Sequence, residues 1–273
     1  MGTVVVTGSL DDLRSRHVRF LEEASKLGDL HVLLWSDEVV RSLEDRGPRF
    51  PQEERAYLVG AMRYVSRVTV VDGPVDRDAI PQVDGLQPET WVVSQEDDNA
   101  RKRAYCASHG LAYRVLRPQD VAGFPAPPHE AYREPSSREK VIVTGCYDWL
   151  HSGHIRFFEE TSALGDLFVV VGHDENIRLL KGEGHPMFSQ DERWYMVQAV
   201  RFVTQALISS GHGWMDAAPE IGRIRPDIYA VNQDGDKPEK RQFCAEHGLE
   251  YVVLERMPRE GLVRRESTRL RGF

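Results

Sequence analysis

His151 and His154 stand three residues apart, with Gly153 between them, in the run GCYDWLHSGH (145–154). A β-branched run (141–144) leads into this segment and a helical pattern (155–164) follows it. The spacing therefore predicts both histidines where a strand turns into a helix N-terminus. Backbone N–H groups and the positive end of the helix dipole hold phosphate at such a turn. Lys181, followed by Gly182, adds a compact cation downstream. Half of a metal site is a second reading of two histidines at i, i+3, but no further Cys or His is spaced to complete it. An inert surface pair is the third reading.

The elements that must position these residues occur twice. HVRFLEEASKLGDL (17–30) matches HIRFFEETSALGDL (154–167), and FPQEERAYLVGAMRYV (50–65) matches FSQDERWYMVQAVRFV (188–203). KRAYCASHGLAYRVL (102–116) matches KRQFCAEHGLEYVVL (240–254). The offset holds at 137 or 138 residues, so the chain is a tandem duplication. Each copy opens on a β-branched run and continues into a helix closed by Gly28 or Gly165, read as C-caps. A strand, a helix around a Glu-Arg pair and three further strands follow, the last two bracketing a cysteine-containing helix. Strands alternating with amphipathic helices predict an α/β fold, a mainly parallel sheet with helices on both faces in each copy. Ligands in such folds bind beyond the carboxyl ends of the strands. The Pro-rich polar stretch 122–139 reads as a linker, dividing the chain into 1–121 and 140–273.

The net charge of −8 over 273 residues excludes a non-specific nucleic-acid binder, which needs a basic surface. No apolar run approaches the roughly 20 residues of a membrane span. The start MGTVVVTG reads as a first strand, lacking the layout of a signal peptide and the Ser or Thr of a myristoylation signal. Three scattered cysteines fit a reducing, cytoplasmic setting rather than a disulfide framework.

GCYDWLHSGH, then LLKG (179–182), then FSQDERWYMVQAVRFV together resemble the cytidylyltransferase family of the HxGH nucleotidyltransferase superfamily. The similarity extends to the ethanolamine-phosphate, choline-phosphate and glycerol-3-phosphate enzymes, and it covers 140–273 well and 1–118 in degraded form. It implies two tandem Rossmann-like nucleotidyltransferase domains, the first degenerate and the second active. It also implies transfer of CMP from CTP, with Mg²⁺, to a small phosphorylated alcohol or phosphonate, with loss of pyrophosphate. His151, His154 and Lys181 would then be catalytic. Gly145, Cys146, Tyr147, Asp148, Gly153, Asn232, Asp234, Ser267, Thr268 and Arg271 would bind the nucleotide, with Cys146 a small turn residue rather than a nucleophile. Trp214, Arg193 and Arg259 would lie on the acceptor side, although Glu192-Arg193 recurs as Glu54-Arg55 in the first copy and reads equally as a structural pairing; no residue is assigned to a metal. Ser267-Thr268 is expected to cap a helix start, although PREGLVRRESTRLR (258–271) departs from the family's R-T-x-G-[IV]-S-T run and leaves Arg259 and Arg271 as rival nucleotide contacts.

In the first copy, SLDDLRSRH (9–17) places Arg14 for His151, Arg16 for Gly153 and, further on, Glu44 for Lys181. Only His17 remains of the pair, and Arg16 is expected to crowd the phosphate path. The resemblance implies an intrachain pseudo-dimer through 63–65 and 201–203, with a homo-oligomer also open. Two rival functions stay open. GC[FY]D openings also occur in adenylyltransferases that act on sugar phosphates, and a non-catalytic nucleotide-binding scaffold is the reading from a different class.

Overall fold

The computed structural model describes residues 2–44, 46–126 and 136–270, which fall into two compact units, Met1–Gly123 and Phe124–Phe273. Residues 127–135 of the expected linker, and Arg271, lie outside the described residues.

The first unit runs β1 (Thr3–Gly8), α1 (Ser15–Ser25), β2 (Asp29–Trp35), α2 (Asp37–Leu43), α3 (Gln52–Gly60), β3 (Arg67–Val71), β4 (Thr90–Ser94), α4 (Ala100–His109) and β5 (Ala112–Leu116). The second repeats the plan with β6 (Lys140–Gly145), α5 (Ser152–Leu164), β7 (Asp166–Val171), α6 (Asp174–Lys181), α7 (Gln190–Gln198) and β8 (Gln205–Ile208). After a 3₁₀ turn at Gly213–Met215 come α8 (Ala218–Ile224), β9 (Ile228–Asn232), α9 (Pro238–His247), β10 (Glu250–Leu254) and the short α10 (Ser267–Leu270). The sheets are ordered β3-β2-β1-β4-β5 and β10-β9-β6-β7-β8, and every pairing is parallel. Each chain segment works outward from a central strand, then crosses to the other side, the Rossmann-like doubly wound order.

The switch of direction opens the sheet. β6 pairs with β7 over six residues but with β9 only at Val141↔Ile228 and Ile142↔Tyr229. β1 and β4 likewise pair only at Val4↔Thr90 and Val5↔Trp91. Beyond those pairs the carboxyl ends part, and in each unit a cleft forms there. The strand interiors are apolar and buried: Val4–Val6 and Leu33 in one unit, Ile142, Phe168 and Tyr229 in the other.

Two local expectations are corrected. Gly165 does close α5, but in an extended conformation, and Gly28 lies two residues past the α1 cap at Lys26. A Cβ at Gly165 would sit 2.1 Å from the Glu139 carbonyl oxygen, and one at Gly28 2.2 Å from that of Gly2. These glycines are required by close strand approach, not by a left-handed cap. The helices α2, α6 and α8 were not anticipated. α2 and α6 are short and start on side-chain caps, Ser36 accepting from Val39 N–H and His173 from Asn176 N–H. No described helix is long and apolar enough to cross a membrane.

Candidate active site

The second unit's cleft, about 220 Å³, is walled on one side by Thr144–Asp148 and on the other by Ala230–Asn232, with Gly153, His154, Lys181, Asp234, Lys240, Arg256 and Ser267 around it. Its floor is a tight turn. Tyr147 is held at φ 51°, and its first-unit counterpart Leu10 at φ 42°. A Cβ at Gly145 would lie 2.8 Å from the Tyr147 ring, so glycine is what allows that ring to fold back.

His151 is the N-cap of α5: its Nδ1 accepts from Gly153 N–H at 3.1 Å. That bond puts the neutral ring's proton on Nε2, which is buried without a partner. The His154 ring stacks on His151 at 3.9 Å between centroids, and its Nδ1 is likewise buried and unpartnered. Gly153 serves this arrangement directly, since a Cβ there would lie 3.0 and 3.1 Å from Cε1 and Nδ1 of His151. Both rings are neutral at pH 7. Burial first, then its neighbours His154, Arg256 and Arg265, hold His151 well below 6.5. Burial, Arg256 and Lys181 hold His154 down to about 3.

Lys181 ends α6 and lines the cleft. Arg256, which motif reasoning missed, lines the same cleft; it bonds the Asp234 carboxylate and donates to the Arg265 carbonyl at 3.1 Å. Asn232 and Cys146 line the walls, and burial raises the Cys146 thiol pKa, the wrong direction for a nucleophile. Ser267 reaches the cleft but lies inside the four-residue α10, its hydroxyl 3.5 Å from the Trp149 carbonyl rather than capping the helix. The Thr268 side chain lies outside what is described. Arg259 lines a neighbouring groove with Gly153, Arg156 and Arg256 instead of the main cleft. Trp214 is half exposed on the 3₁₀ turn, and it is not among the cleft walls.

Arg193 is a structural staple, the pairing that its repetition in both copies suggests, and not the acceptor ligand that the resemblance implies. It is 1% exposed and donates to the carbonyls of Phe188 and Cys146 and to Asp174 at 2.7–3.0 Å. Arg55 makes the matching three bonds in the first unit, to Phe50, Ser9 and Asp37, and adds the Trp35 carbonyl. Asp148 is also part of the frame: its Oδ1 accepts from Met187 and Phe188 N–H, as Asp11 does from Arg49 and Phe50 N–H. These clamps hold the loop that follows Lys181.

The first unit keeps the frame and loses the cradle. Arg14 turns away to Asp12, while Arg16 donates Nε–H to His17 Nε2 at 3.2 Å. With no imidazole at position 14, a side chain at position 16 has nothing to collide with, so the two changes go together. Glu44 stands on the cleft wall in place of the lysine. Arg16 lines this cleft, which encloses about 490 Å³. What differs is charge and donor geometry.

The buried histidines make stability pH-dependent. Burial, then Arg16, lowers His17 to about 4. An unfolded chain protonates its histidines near 6.5 while the native chain does not. Stability is therefore full above pH 6.5 and falls as pH drops toward 4 for His17 and 3 for His154. Melting temperature should decline below pH 6.5, and His17→Gln and His154→Gln should each lose less between pH 6.5 and 4 than the parent. Equal slopes in parent and variants would contradict this.

A doubly wound sheet, a switch-point cleft, and two neutral histidines with a glycine at a helix N-terminus beside Lys181 and Arg256 define a nucleotidyltransferase. Residues 142–254 match the family described as cytidylyltransferase-like. FAD synthase of Methanoculleus marisnigri is 38% identical over 118 residues, 42% of this chain and 75% of that protein. The bifunctional protein HldE of Methylococcus capsulatus is 38% identical over 98 residues, 35% of this chain and 20% of that longer protein. The solved lipopolysaccharide core biosynthesis protein of Thermoplasma volcanium is 27% identical, covering 43% of this chain and 96% of its own, with a TM-score of 0.38. The chain belongs to the cytidylyltransferase-like family of nucleotidyltransferases.

Proposed function

We propose that the site in residues 140–273 transfers a nucleoside monophosphate from a nucleoside triphosphate to a small phosphorylated acceptor, releasing pyrophosphate. The observation that carries this reading is the stacked pair of neutral histidines at the N-terminus of α5, with one unpartnered buried nitrogen on each ring. An acceptor phosphate oxygen attacks the α-phosphorus as the bond to the leaving pyrophosphate oxygen breaks. The protein works by position and charge, because the reacting groups bring their own nucleophile and leaving group. His151 offers its Nε2–H to a phosphate oxygen. His154, hydrogen-bonded to the Trp149 backbone, donates from Nδ1 once a bound polyanion favours its protonation. Lys181 and Arg256 neutralise charge that builds on the leaving group.

Mg²⁺ would arrive with the nucleotide and neutralise its phosphates. Of the two carboxylates on the cleft, Asp148 is committed to backbone N–H groups, which leaves Asp234 to hold the ion by exchanging its pairing with Arg256. Among the described residues no group of three or more His, Cys, Asp or Glu is placed to hold a metal ion. Phosphate oxygens would therefore supply most of its ligands.

Two nucleotides are favoured by separate observations. The motif run through GCYD, HSGH, LLKG and QDER favours CMP transfer from CTP to a phosphorylated alcohol or phosphonate. The FAD synthase relatives favour AMP transfer, since FAD carries an adenosine monophosphate unit. The first unit, without the lysine and the first histidine, is non-catalytic on this reading. An acceptor panel scored for pyrophosphate release, run with CTP and ATP side by side, tests the proposal. Release with one nucleotide and a phosphate-bearing acceptor supports it, and no release across the panel with either would overturn it.

A further inference from the structure

The two units carry the same lysine in the same place and use it differently. Lys102 and Lys240 open the matched runs 102–116 and 240–254, one in each copy. Each ammonium lies 5.9 Å from the centroid of a buried aromatic ring, Trp91 or Tyr229. Their neighbours provide an internal control. Arg103 pairs with Asp98 and Arg241 with Asp236, and the same aspartates accept from Tyr113 and Tyr251. The surrounding frame is thus unchanged.

The contacts of the lysine differ. Lys102 is buried, donates to the Asp97 carbonyl at 2.9 Å and lies 3.7 Å from Asp78. Lys240 is half-buried on the wall of the active cleft, and its ammonium has no hydrogen-bond or ion-pair partner among the described residues. The Gly235 carbonyl, which matches that of Asp97, takes no bond from Lys240, and the cleft carboxylate Asp234 is paired with Arg256. Burial, then Lys237, lowers the Lys240 pKa from its usual value, so the charge is held against a desolvation cost with no protein anion in contact.

We propose that Lys240 is a substrate-contacting residue of the second unit, its ammonium receiving an oxygen of the bound substrate at the β9 side of the cleft. The inference rests on the nucleotidyl-transfer reading of that cleft. An ammonium is a donor with three hydrogens and no acceptor, so its ligand is a carbonyl or anionic oxygen. That oxygen belongs either to the nucleoside or to the phosphorylated acceptor. Lys240 stands on α9, beyond β9, whereas Lys181 ends α6, beyond β7, so the two ammonium groups reach the cleft from different elements.

Full-length Lys240→Met and Lys102→Met are compared by titrating CTP, ATP and inorganic pyrophosphate calorimetrically, and by KM for an acceptor that supports pyrophosphate release. Lys240→Met should weaken one substrate about tenfold or more. Weaker CTP or ATP with unchanged pyrophosphate binding assigns the contact to the nucleoside, whereas unchanged nucleotide with raised acceptor KM assigns it to the acceptor. Lys102→Met should lower the melting temperature and leave these constants alone. Lys240→Gln serves in place of the methionine variant if the latter fails to fold. Unchanged constants in a folded Lys240 variant, or equal changes in Lys102→Met, overturn the proposal. Nucleotide binding without pyrophosphate release in the parent would sink the transfer reading and still report on Lys240 through the titrations.

Discussion

Replacing His151 with alanine should lower kcat about 10²–10³-fold with little change in nucleotide KM, and His154→Ala should do the same. The expectation follows from what each ring leaves unpaired. His151 Nε2–H is buried without a partner, and its tautomer is set by Gly153 N–H. A donor fixed in that way costs no reorganisation when charge develops on a phosphate oxygen. The rings stack at 3.9 Å and act on one charge, so the double variant should lose less than the product of the single losses. Gly153→Ala belongs in the same series, because its Cβ would press on the His151 ring and disturb the donor without deleting it. The measurement is steady-state pyrophosphate release, with circular dichroism confirming the fold. Wild-type kcat in either alanine variant would remove the histidines from the chemistry.

Arg193→Ala should cost stability rather than specificity, about 3 kcal/mol by urea unfolding. The guanidinium ties the turn after β6, the loop before α7 and the start of α6 through Cys146, Phe188 and Asp174. Its loss strands two carbonyls that were bonded to charge. Arg193→Lys should restore little, since one ammonium cannot reproduce a planar fork aimed at three acceptors. Arg55→Ala should cost a similar amount in the first unit, where the same staple stands without the cradle. A change below about 1 kcal/mol with a selective rise in acceptor KM would return Arg193 to the substrate side.

Much of this was legible in the residues because the duplication separates frame from chemistry. Positions alike in both copies, such as Asp11 and Asp148 or Arg55 and Arg193, form the clamps; of those that differ, Gly153 and Lys181 line the cleft and His151 is stacked on its wall residue His154. Strand content was legible because β-branched runs recur at a constant offset. Arg193 could be read two ways, as an acceptor contact through the resemblance or as a structural pairing through its repetition as Arg55, and its bonds to Phe188, Cys146 and Asp174 favour the second. Arg256 was missed because it lies in the irregular segment between β10 and α10, where no periodicity reports direction. Trp214 is placed on the acceptor side by the resemblance alone, whereas its position on an exposed turn is a matter of tertiary packing.

The most direct test of a single transfer site in the second unit uses a nucleoside triphosphate labelled at the α-phosphorus. The full-length parent, a His151→Ala/His154→Ala variant and a His17→Ala variant are each incubated with the acceptor that supports pyrophosphate release. The label should pass into an acceptor-bearing product with the parent and with His17→Ala, and stay in the nucleotide with the double variant. Label found only in free nucleoside monophosphate or diphosphate, or transfer that survives the double substitution, would contradict the assignment.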